Sequence, residues 1–286
     1  MPAEQGGTPR RCGVLGSPIG HSLSPVLHRA AYAELGLNWS YDAHEVAEAE
    51  LATFIASMGD QWRGLSLTMP LKRAVLALCD RVEHPGALIG SVNTLLVEAD
   101  GSRVGHNTDV DGFVRALTEA GVQRLKSVCI VGAGATAASA LAAAARLGAT
   151  SAVVLARSVQ RSEPMQALGP LLGLDVRLHP LDGAGPVQPP DASHECDLLI
   201  STIPAGVQSA ALGLSLAGLA PVVCDVVYAP SRTPLLEAGS SRGAVVIPGF
   251  ELLVNQAARQ VELMTGALVA PVEAMRRAGL GALDHR

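Results

Sequence analysis

One charged side chain, that of Lys72, lies where it could carry a proton to a reacting oxygen, and further polar residues follow other predicted strands. Lys72 comes four residues after Thr68, where a predicted strand ends, and an ammonium group held there can donate a proton or stabilise an alkoxide. Most lysines are simply solvated, so Lys72 alone decides nothing. Asp109 follows a strand predicted to end at His106, and it could equally cap the next helix. Asn93 is a further polar candidate beyond a strand end.

Two serines lie where the first predicted helix begins. Ser22 and Ser24 follow the loop 16–21 and lead into a helix that starts near Pro25. Hydroxyl groups and free N–H groups at a helix N-terminus suit a carboxylate ligand. Ser24 as the N-cap, with Pro25 at the first helical position, explains the same residues, and from these residues alone we favour the cap. Both interpretations can hold together.

A turn rich in glycine and alanine lies between a buried strand at 128–131 and an alanine-rich helix. It fits the pattern GxGxxA and consists of Gly132, Ala133, Gly134, Ala135, Thr136 and Ala137. In this pattern the first glycine permits the tight turn, the second lets the backbone approach a pyrophosphate, and the final small residue allows close packing of helix on strand. Ordinary turns also use glycine, but the flanking strand and helix favour a dinucleotide site.

The residues after the next predicted strand indicate which dinucleotide binds. An NAD site would place Asp or Glu there to accept a hydrogen bond from the ribose 2′-OH. This chain has Arg157, Ser158 and Arg161 instead, and no carboxylate before Glu163. Two guanidinium groups and a hydroxyl can hold a 2′-phosphate through charge-assisted hydrogen bonds. A solvated basic turn is the alternative, and we favour NADP as the cofactor.

Short apolar runs alternate with helix-length segments, which is typical of parallel α/β architecture. Strands are predicted at 12–15, 39–44, 64–68, 90–98, 103–106, 128–131, 152–156, 176–178, 198–201, 222–226 and 244–247. Helices are predicted at 24–35, 48–58, 71–82, through 113 and 117, after the glycine turn to 147, at 250–264 and at 271–279. Residues 183–191 are expected to form a surface loop rich in Gly and Pro.

Composition excludes several classes of protein. Of the 286 residues, 49% are hydrophobic and 16% are charged, which is enough for a buried core and excludes general disorder. A formal charge of −5 without a long basic run argues against a nucleic-acid or membrane-surface partner. The five cysteines form no CxxC motif, which favours buried thiols in a reducing compartment. With no apolar signal segment before residue 12, we predict a cytoplasmic protein. His21 and His106 could be acid/base groups, but no cluster of histidines or carboxylates accompanies them, so no metal is expected.

Taken together, the polar motifs resemble the shikimate dehydrogenase family. The matching segments are 16–25, 67–72, 90–95, 105–109, 132–137, 225–228, 233–236 and 255–258, all within residues 12–266. Their combination in one order is far more specific than any single motif. The resemblance implies a discontinuous α/β catalytic domain at 1–109 and 250–286, a Rossmann domain at 110–249, and a cleft between them.

The resemblance also implies an activity and a set of site residues. The reaction would be the reversible NADPH-linked reduction of 3-dehydroshikimate to shikimate, in chorismate and aromatic amino-acid biosynthesis, with Lys72 and Asp109 as the catalytic pair. Ser22 and Ser24 would bind the substrate carboxylate. The residues implied around the ring hydroxyls are Thr68, Asn93, Asp109, Tyr228 and Gln256. Those implied at the cofactor are Gly132, Ala133, Gly134, Ala135, Thr136, Ala137, Ala156, Arg157, Ser158, Arg161, Thr202, Val226 and Gly249.

The chain departs from the family pattern at a few positions. Ala156 stands where Asn is common, and Ser158 stands where Thr is common. Ala135 replaces a usual glycine and adds a methyl group near the pyrophosphate, which bears on NADP affinity. Met264 replaces a common aromatic residue before Thr265 and does not touch the chemistry.

Three alternatives stay open at this point. A quinate or dual quinate/shikimate dehydrogenase of the same fold would need more polar room near the paired serines, and relatives that use NAD tend to carry an acid where Arg157 stands. A non-enzymatic sensor has no need for both Lys72 and Asp109. Another Rossmann reductase, acting on folates or aldehydes, would leave the serines and Asn93 unexplained. The resemblance leaves a homodimer open as the assembly.

Overall fold

Strands and helices alternate along the chain in the computed structural model, which describes residues 8–181 and 196–285. The predicted loop at 183–191 lies outside the described residues. The described residues divide into two compact units, one up to Thr108 and again from Val254, the other from Asp109 to Leu253. The long helix α10 (Gly249–Thr265) begins in the second unit and ends in the first.

The first unit contains a six-stranded mixed sheet. Its strands are β1 (Arg10–Gly16), β2 (Trp39–Glu45), β3 (Trp62–Leu67), β4 (Arg81–Val82), β5 (Thr94–Val97) and β6 (Arg103–His106). Its helices are α1 (Ser24–Glu34), α2 (Leu51–Ala56), α3 (Leu71–Ala74), α4 (Gly86–Ile89) and α11 (Val272–Asp284), with 3-10 turns at Glu48–Glu50 and Val75–Leu78. The strand order is β2-β1-β3-β5-β6-β4, and only β5 runs against its neighbours.

Aliphatic side chains form the core of this unit, as the low aromatic content requires. Leu15, Leu65 and Leu67 project from the central strands into a cluster with Val75 and Leu95, and all five are at most 2% exposed. Burying each such side chain contributes roughly 1.5–3 kcal/mol, which is how short strands of modest propensity are held in one sheet.

The second unit contains a six-stranded parallel sheet. Its strands are β7 (Ser127–Val131), β8 (Ser151–Ala156), β9 (Asp175–Pro180), β10 (Leu198–Ser201), β11 (Val222–Asp225) and β12 (Val245–Pro248). Its helices are α5 (Asp109–Glu119), α6 (Ala135–Arg146), α7 (Val159–Leu172), α8 (Ala210–Leu216) and α9 (Pro234–Ser241), with a 3-10 turn at Ala205–Val207. Counted from β7, the order is 6-5-4-1-2-3, which is the Rossmann order. The predicted α/β class is confirmed.

Two features of the sequence explain how β7 and α6 pack in the second unit. The strand β7 is an apolar run buried at four of its five positions, as expected for a parallel strand covered on both faces. The helix α6 buries eight consecutive residues, Ala137 to Ala144, six of which are alanine. Because alanine has the highest helix propensity and a small side chain, α6 can form readily and lie close to the sheet.

Three sequence predictions are corrected by the fold. The helix predicted at 71–82 stops early, because Asp80 N–H donates to Arg103 O (2.8 Å) and residues 81–82 pair with β6 as strand β4. The strand predicted at 90–98 begins only at Thr94, since Gly90 has a φ of +60° and ends the unpredicted helix α4. The helix predicted at 48–58 is a 3-10 turn followed by the six-residue α2.

The helix α7 is absent from the sequence predictions. It contains Pro164 and Pro170, which usually interrupt a helix because proline lacks the N–H donor. Ser158 caps its N-terminus, accepting from Arg161 N–H, and Gly173 ends it at a φ of +72°. Among residues 8–181 and 196–285, no helix is both long enough and apolar enough to cross a membrane.

Candidate active site

Several polar residues lie just beyond the strand ends on one side of the first sheet. In the register, Ser66 of β3 lies opposite Thr94 of β5, which lies opposite His106 of β6. Because β5 runs against β3 and β6, the residues next along the chain, before β5 and after β3 and β6, emerge on the same side. We call this side the carboxyl edge; it follows the carboxyl ends of β1, β2, β3 and β6. Thr68 and Asn93 are therefore brought together there.

Asn93 is the hydrogen-bonding centre of the carboxyl edge. Its Oδ1 accepts from Thr108 N–H (2.8 Å) and from Thr94 Oγ1 (2.9 Å). Its Nδ2 donates to Thr108 Oγ1 (3.0 Å) and lies 3.4 Å from Gln256 Oε1. All four residues are buried, so each polar group has to be hydrogen-bonded. The structure thus brings together Asn93 and Gln256, two predicted substrate residues 163 positions apart.

Lys72 and Thr68 are held at the same edge through their backbones. Thr68 N–H donates to Leu15 O at the end of β1 (3.0 Å), and Thr68 O accepts from Leu71 N–H (2.8 Å). Lys72 O accepts from Val92 N–H (2.8 Å), which places the Lys72 backbone beside the residue that precedes Asn93. The Lys72 side chain is half-buried on the short helix α3. Lys72 thus lies on the helix that follows β3, five residues after the strand ends.

The paired serines differ in role from the favoured prediction. The helix α1 begins at Ser24 itself, and the N-cap is Leu23, whose backbone is already helical, so Ser24 as N-cap is wrong. The hydroxyl of Ser22 instead accepts from Ser24 N–H (3.2 Å), which satisfies one of the free donors at the helix terminus. Since a hydroxyl that accepts one bond can still donate its own proton, Ser22 keeps a donor for a carboxylate.

Glu45 at the end of β2 is a site-shaping residue that the sequence predictions missed. Its carboxylate accepts from Ser17 Oγ (2.6 Å) and from Ile19 N–H (2.9 Å), which ties down the loop that leads to the serines. These hydrogen bonds, first that of Ser17, lower the pKa of Glu45. In the sequence, Glu45 is only a carboxylate at the end of a predicted strand, and this feature is too common to identify a site residue.

Two buried or half-buried histidines flank the carboxyl edge. His28 of α1 is fully buried, stacks on Tyr41 at 3.9 Å between ring centroids, and places Nδ1 2.9 Å from Ser24 O. Its Nε2 has no hydrogen-bond partner among the described residues, and burial lowers the pKa of His28 to about 4. Burial also lowers the pKa of His106, whose carbonyl accepts from Asn93 N–H (3.1 Å). Both rings are therefore neutral near pH 7.

Asp109 and Tyr228 lie in the second unit. Asp109 is the first residue of α5, is 5% exposed, and directly follows Thr108, the residue anchored on Asn93. Tyr228 follows β11 in a segment that is held by Asp225, whose carboxylate accepts from Thr233 Oγ1 (2.7 Å) and Val227 N–H (3.1 Å). Burial raises the pKa of Asp225, although these hydrogen bonds oppose the shift. The convergence of Lys72 and Asp109 on one substrate atom stays a prediction.

The glycine turn of the second unit has the geometry expected for a dinucleotide. Gly132 has a φ of +108°, and a Cβ there would lie 2.4 Å from Thr202 Oγ1, so only glycine fits. Gly134 is the N-cap of α6, and a Cβ there would meet no atom of the described residues within 4 Å. The N-terminus of α6 thus opens onto free space where a phosphate can approach N–H groups. Ala137 is fully buried, as predicted for close packing.

The predicted 2′-phosphate residues lie at the end of β8. Arg157 and Arg161 are exposed, and Ala156 is the buried last residue of the strand. The Ser158 hydroxyl accepts from Arg161 N–H (3.3 Å) as the N-cap of α7, so its oxygen has a structural role besides any contact with phosphate. Two exposed guanidinium groups beside a helix N-terminus suit a phosphate, because their positive charges and the positive end of the helix dipole both attract an anion.

The remaining predicted cofactor residues follow β10, β11 and β12. Thr202 N–H and Oγ1 both donate to Val131 O at 2.8 Å. These bonds join the ends of β7 and β10, the neighbouring strands at which the strand order of the sheet reverses. Val226 N–H donates to Ser201 O (3.0 Å). A Cβ on Gly249 would lie 2.3 Å from the Val226 carbonyl, so this approach requires glycine. The predicted cofactor residues therefore lie at the carboxyl ends of the Rossmann strands or in the first turns of the helices that follow them, and these residues fit a dinucleotide.

Comparison with known proteins identifies relatives over nearly the whole chain. The family model for the shikimate dehydrogenase substrate binding domain matches residues 14–95, and that for the shikimate 5′-dehydrogenase C-terminal domain matches residues 249–278. The chain is 37% identical to shikimate dehydrogenase (NADP(+)) of Rubrobacter xylanophilus over 273 residues, covering 93% of this chain and 94% of the relative.

Solved structures agree with these sequence matches. The shikimate dehydrogenase of Mycobacterium tuberculosis superposes with a TM-score of 0.86 at 39% identity, covering 96% of this chain and all of that one. The shikimate 5-dehydrogenase of Thermus thermophilus in complex with NADP(H) and shikimate superposes with a TM-score of 0.79 at 30% identity, covering 96% of this chain and 100% of that one.

Proposed function

The chain belongs to the shikimate dehydrogenase family, and from that premise we propose that Lys72 and Asp109 are its catalytic pair. It is an NADP-dependent oxidoreductase of the shikimate pathway that interconverts 3-dehydroshikimate and shikimate. When bound, NADPH would supply a hydride, that is one proton with two electrons, for the substrate carbonyl carbon. The protein contributes orientation, charge and the second proton.

Lys72 is proposed to act on the carbonyl oxygen. As an ammonium group it stabilises the negative charge that develops on this oxygen and then donates the proton that completes the hydroxyl. Asp109 is proposed to hold the Lys72 amine and a neighbouring substrate hydroxyl in line. In the reverse direction the same amine, once neutral, accepts the hydroxyl proton of shikimate.

The observation that carries this proposal is the network around Asn93. Asn93 binds Thr108 by two groups, and Thr108 directly precedes Asp109 in the chain. The Lys72 carbonyl is bonded to Val92, directly before Asn93. The Asn93 side chain therefore anchors the backbone directly before Asp109, and the backbone directly before Asn93 anchors Lys72, although the two proposed catalytic residues are 37 positions apart. Such anchoring is what a pair needs if it is to act on one atom.

The substrate is proposed to be held at its carboxylate and at its ring hydroxyls. Ser22 and Ser24 at the N-terminus of α1 offer hydroxyl donors, and the positive end of the helix dipole favours an anion there. Thr68, Asn93 and Gln256 at the carboxyl edge, with Tyr228 from the second unit, are proposed to bind the hydroxyls. Amide and hydroxyl groups suit neutral hydroxyl ligands because they can both donate and accept.

NADP is proposed to lie along the carboxyl ends of the Rossmann strands. The turn from Gly132 to Ala137 would hold the pyrophosphate, with support from the open space above Gly134. Arg157, Ser158 and Arg161 would hold the 2′-phosphate. The residues proposed near the rest of the cofactor are Ala156, Thr202, Val226 and Gly249.

We propose domain bounds, an assembly and a location as well. The catalytic domain is proposed to comprise residues 1–109 and 250–286 and the NADP domain residues 110–249, supported by the two compact units of the fold. A homodimer is the proposed assembly, to be tested by analytical ultracentrifugation. The cytoplasm is the proposed location, supported by five cysteines that are all free thiols.

One spectrophotometric experiment tests the function. Absorbance at the NADPH wavelength is followed with shikimate or quinate as substrate and with NADP or NAD as cofactor. We expect the highest kcat/KM for shikimate with NADP, because Arg157 and Arg161 recognise the 2′-phosphate and no polar residue is assigned to the extra hydroxyl of quinate. Binding of shikimate without turnover would refute the reaction and support a sensor, and a preference for quinate would refute the substrate.

A further inference from the structure

A chain of buried hydrogen bonds runs beneath the carboxyl edge of the first unit and ends on proposed substrate residues. It begins at Tyr41 of β2, whose hydroxyl donates to Ser66 Oγ of β3 (2.6 Å). The Ser66 hydroxyl in turn donates to Gln260 Oε1 of α10 (2.8 Å). Gln260 is 1% exposed, and no motif of the sequence singled it out.

The amide of Gln260 extends this chain of hydrogen bonds to β5 and to Asn93, the residue before it. Its Nε2 donates to Thr94 Oγ1 (3.0 Å) and to Asn93 O (3.3 Å). The Thr94 hydroxyl then donates to Asn93 Oδ1 (2.9 Å), and Asn93 Nδ2 faces Gln256 Oε1 at 3.4 Å. Gln260 thus joins the Tyr41–Ser66 pair to Asn93 and, through it, to Gln256.

The direction of each bond in this chain is set by chemistry. The Asn93 carbonyl can only accept, so the side of the Gln260 amide that faces it must be the nitrogen. The Gln260 oxygen must then face Ser66, whose hydroxyl donates to it. Thr108 N–H can only donate, so Asn93 Oδ1 must face Thr108, which leaves Nδ2 toward Gln256. The orientation required of the Gln260 amide and the orientation required of the Asn93 amide are compatible, so every bond in the chain has one donor and one acceptor.

We propose that Gln260 is a positioning residue that fixes the side-chain amides of Asn93 and Gln256 in the orientation in which they bind the substrate hydroxyls. This inference rests on the proposed function. Replacing Gln260 by methionine keeps the volume and removes both the donor and the acceptor. Thr94 then loses the donor that orients its hydroxyl toward Asn93. Asn93 keeps its hydrogen bonds to Thr108, but its amide, and that of Gln256 which faces it, are held less firmly in the binding position.

Steady-state kinetics of Gln260→Met tests the inference. Because Asn93 and Gln256, which Gln260 positions, are proposed to bind substrate and transition state alike, we expect the KM for shikimate to rise about five- to thirtyfold, with kcat within about threefold of the parent. The KM for NADP should stay within about twofold, since the network belongs to the first unit. The matched control is Met264→Leu, one turn further along α10 and equally buried, which should leave both KM values unchanged.

A second variant covers the case in which Gln260→Met does not fold. Ser66→Ala removes only the hydroxyl that orients the Gln260 oxygen, and we expect a rise of about two- to fivefold in the KM for shikimate. An unchanged KM for shikimate in a folded Gln260→Met or Ser66→Ala enzyme, or an equal rise in Met264→Leu, would overturn the assignment alone. No turnover of shikimate by the parent would overturn the proposed function and the assignment with it.

Discussion

Gly132 and Gly134 lie two residues apart in the dinucleotide turn, yet a side chain should have opposite consequences at the two positions. Gly134 has a φ of −84°, which any L-residue adopts, and a Cβ there would meet no atom of the described part of the chain within 4 Å. Gly132 has a φ of +108° and has Thr202 Oγ1 2.4 Å from the place a Cβ would take. A substitution at Gly134 therefore probes the ligand, whereas one at Gly132 probes the fold.

The expected magnitudes follow from these geometries. Gly134→Val replaces one N-cap residue by a poorer one, which costs about 1 kcal/mol and lowers Tm by about 2–4 °C. If the side chain keeps the pyrophosphate from one charge-assisted hydrogen bond, worth about 1.5–3 kcal/mol, the Kd for NADP rises about 10- to 150-fold. Gly132→Ala adds a strained backbone of about 1–3 kcal/mol and a steric overlap, so its Tm should fall by about 5 °C or more.

The assay measures the two quantities separately. Thermal unfolding without nucleotide gives Tm, and isothermal titration with NADP gives Kd for each variant and the parent. We expect a large change of Kd with a small change of Tm for Gly134→Val, and a large change of Tm for Gly132→Ala. A Gly134→Val protein that binds NADP within twofold of the parent would refute the reasoning, because no phosphate could then approach this turn.

Three further predictions concern single side chains. Lys72→Ala should lower kcat by about 10²–10⁴-fold, with the KM for shikimate little changed, because a proton donor acts in the transition state. Arg157→Ala and Arg161→Ala should each raise the KM for NADP about tenfold and leave that for NAD unchanged in steady-state assays. Because burial lowers the pKa of His28 from 6.5 to about 4, the folded state should lose up to about 3 kcal/mol as pH falls through this range, and His28→Phe should flatten that loss in urea unfolding.

Each of these predictions has a control. Arg73→Ala changes a neighbouring exposed cation on α3 and should leave kcat at the parental value, so an equal loss there would argue against a specific role for Lys72. A parallel rise of the KM for NAD in Arg157→Ala would argue against recognition of the 2′-phosphate. An unaltered dependence of unfolding free energy on pH in His28→Phe would place the acid sensitivity in other groups.

Local patterns of the sequence determined the elements that depend on few distant contacts. The run at 128–131 is apolar throughout and that at 198–201 is apolar except for Ser201, and the predicted bounds of both strands agree with the structure to within one residue. The GxGxxA turn was identifiable because its strand, glycines and helix are contiguous. The family assignment from motifs is confirmed as well, since the motifs preserve residue types in one order.

Tertiary contacts decided what the local patterns misassigned. Residues 79–82 continue a helical pattern, but the backbone of β6 offers hydrogen bonds that a helix cannot match, and the segment extends as β4. Ser24 has the residue type of an N-cap, yet Leu23 already has helical angles, and Ser22 takes up the free N–H. In the first case a distant strand changes the preferred conformation, whereas in the second a neighbouring residue takes the role that the residue type of Ser24 suggested.

The sequence alone determined which residue types are available for the chemistry: an amine, a carboxylate, paired serines, an amide and a glycine turn. Only the tertiary structure decided that Asn93 anchors Thr108 and faces Gln256, and that Gln260 joins them to Ser66. The physical reason is range. Helix and turn signals act over a few residues, whereas a buried amide is oriented by donors and acceptors that the folded chain brings from more than 160 positions away.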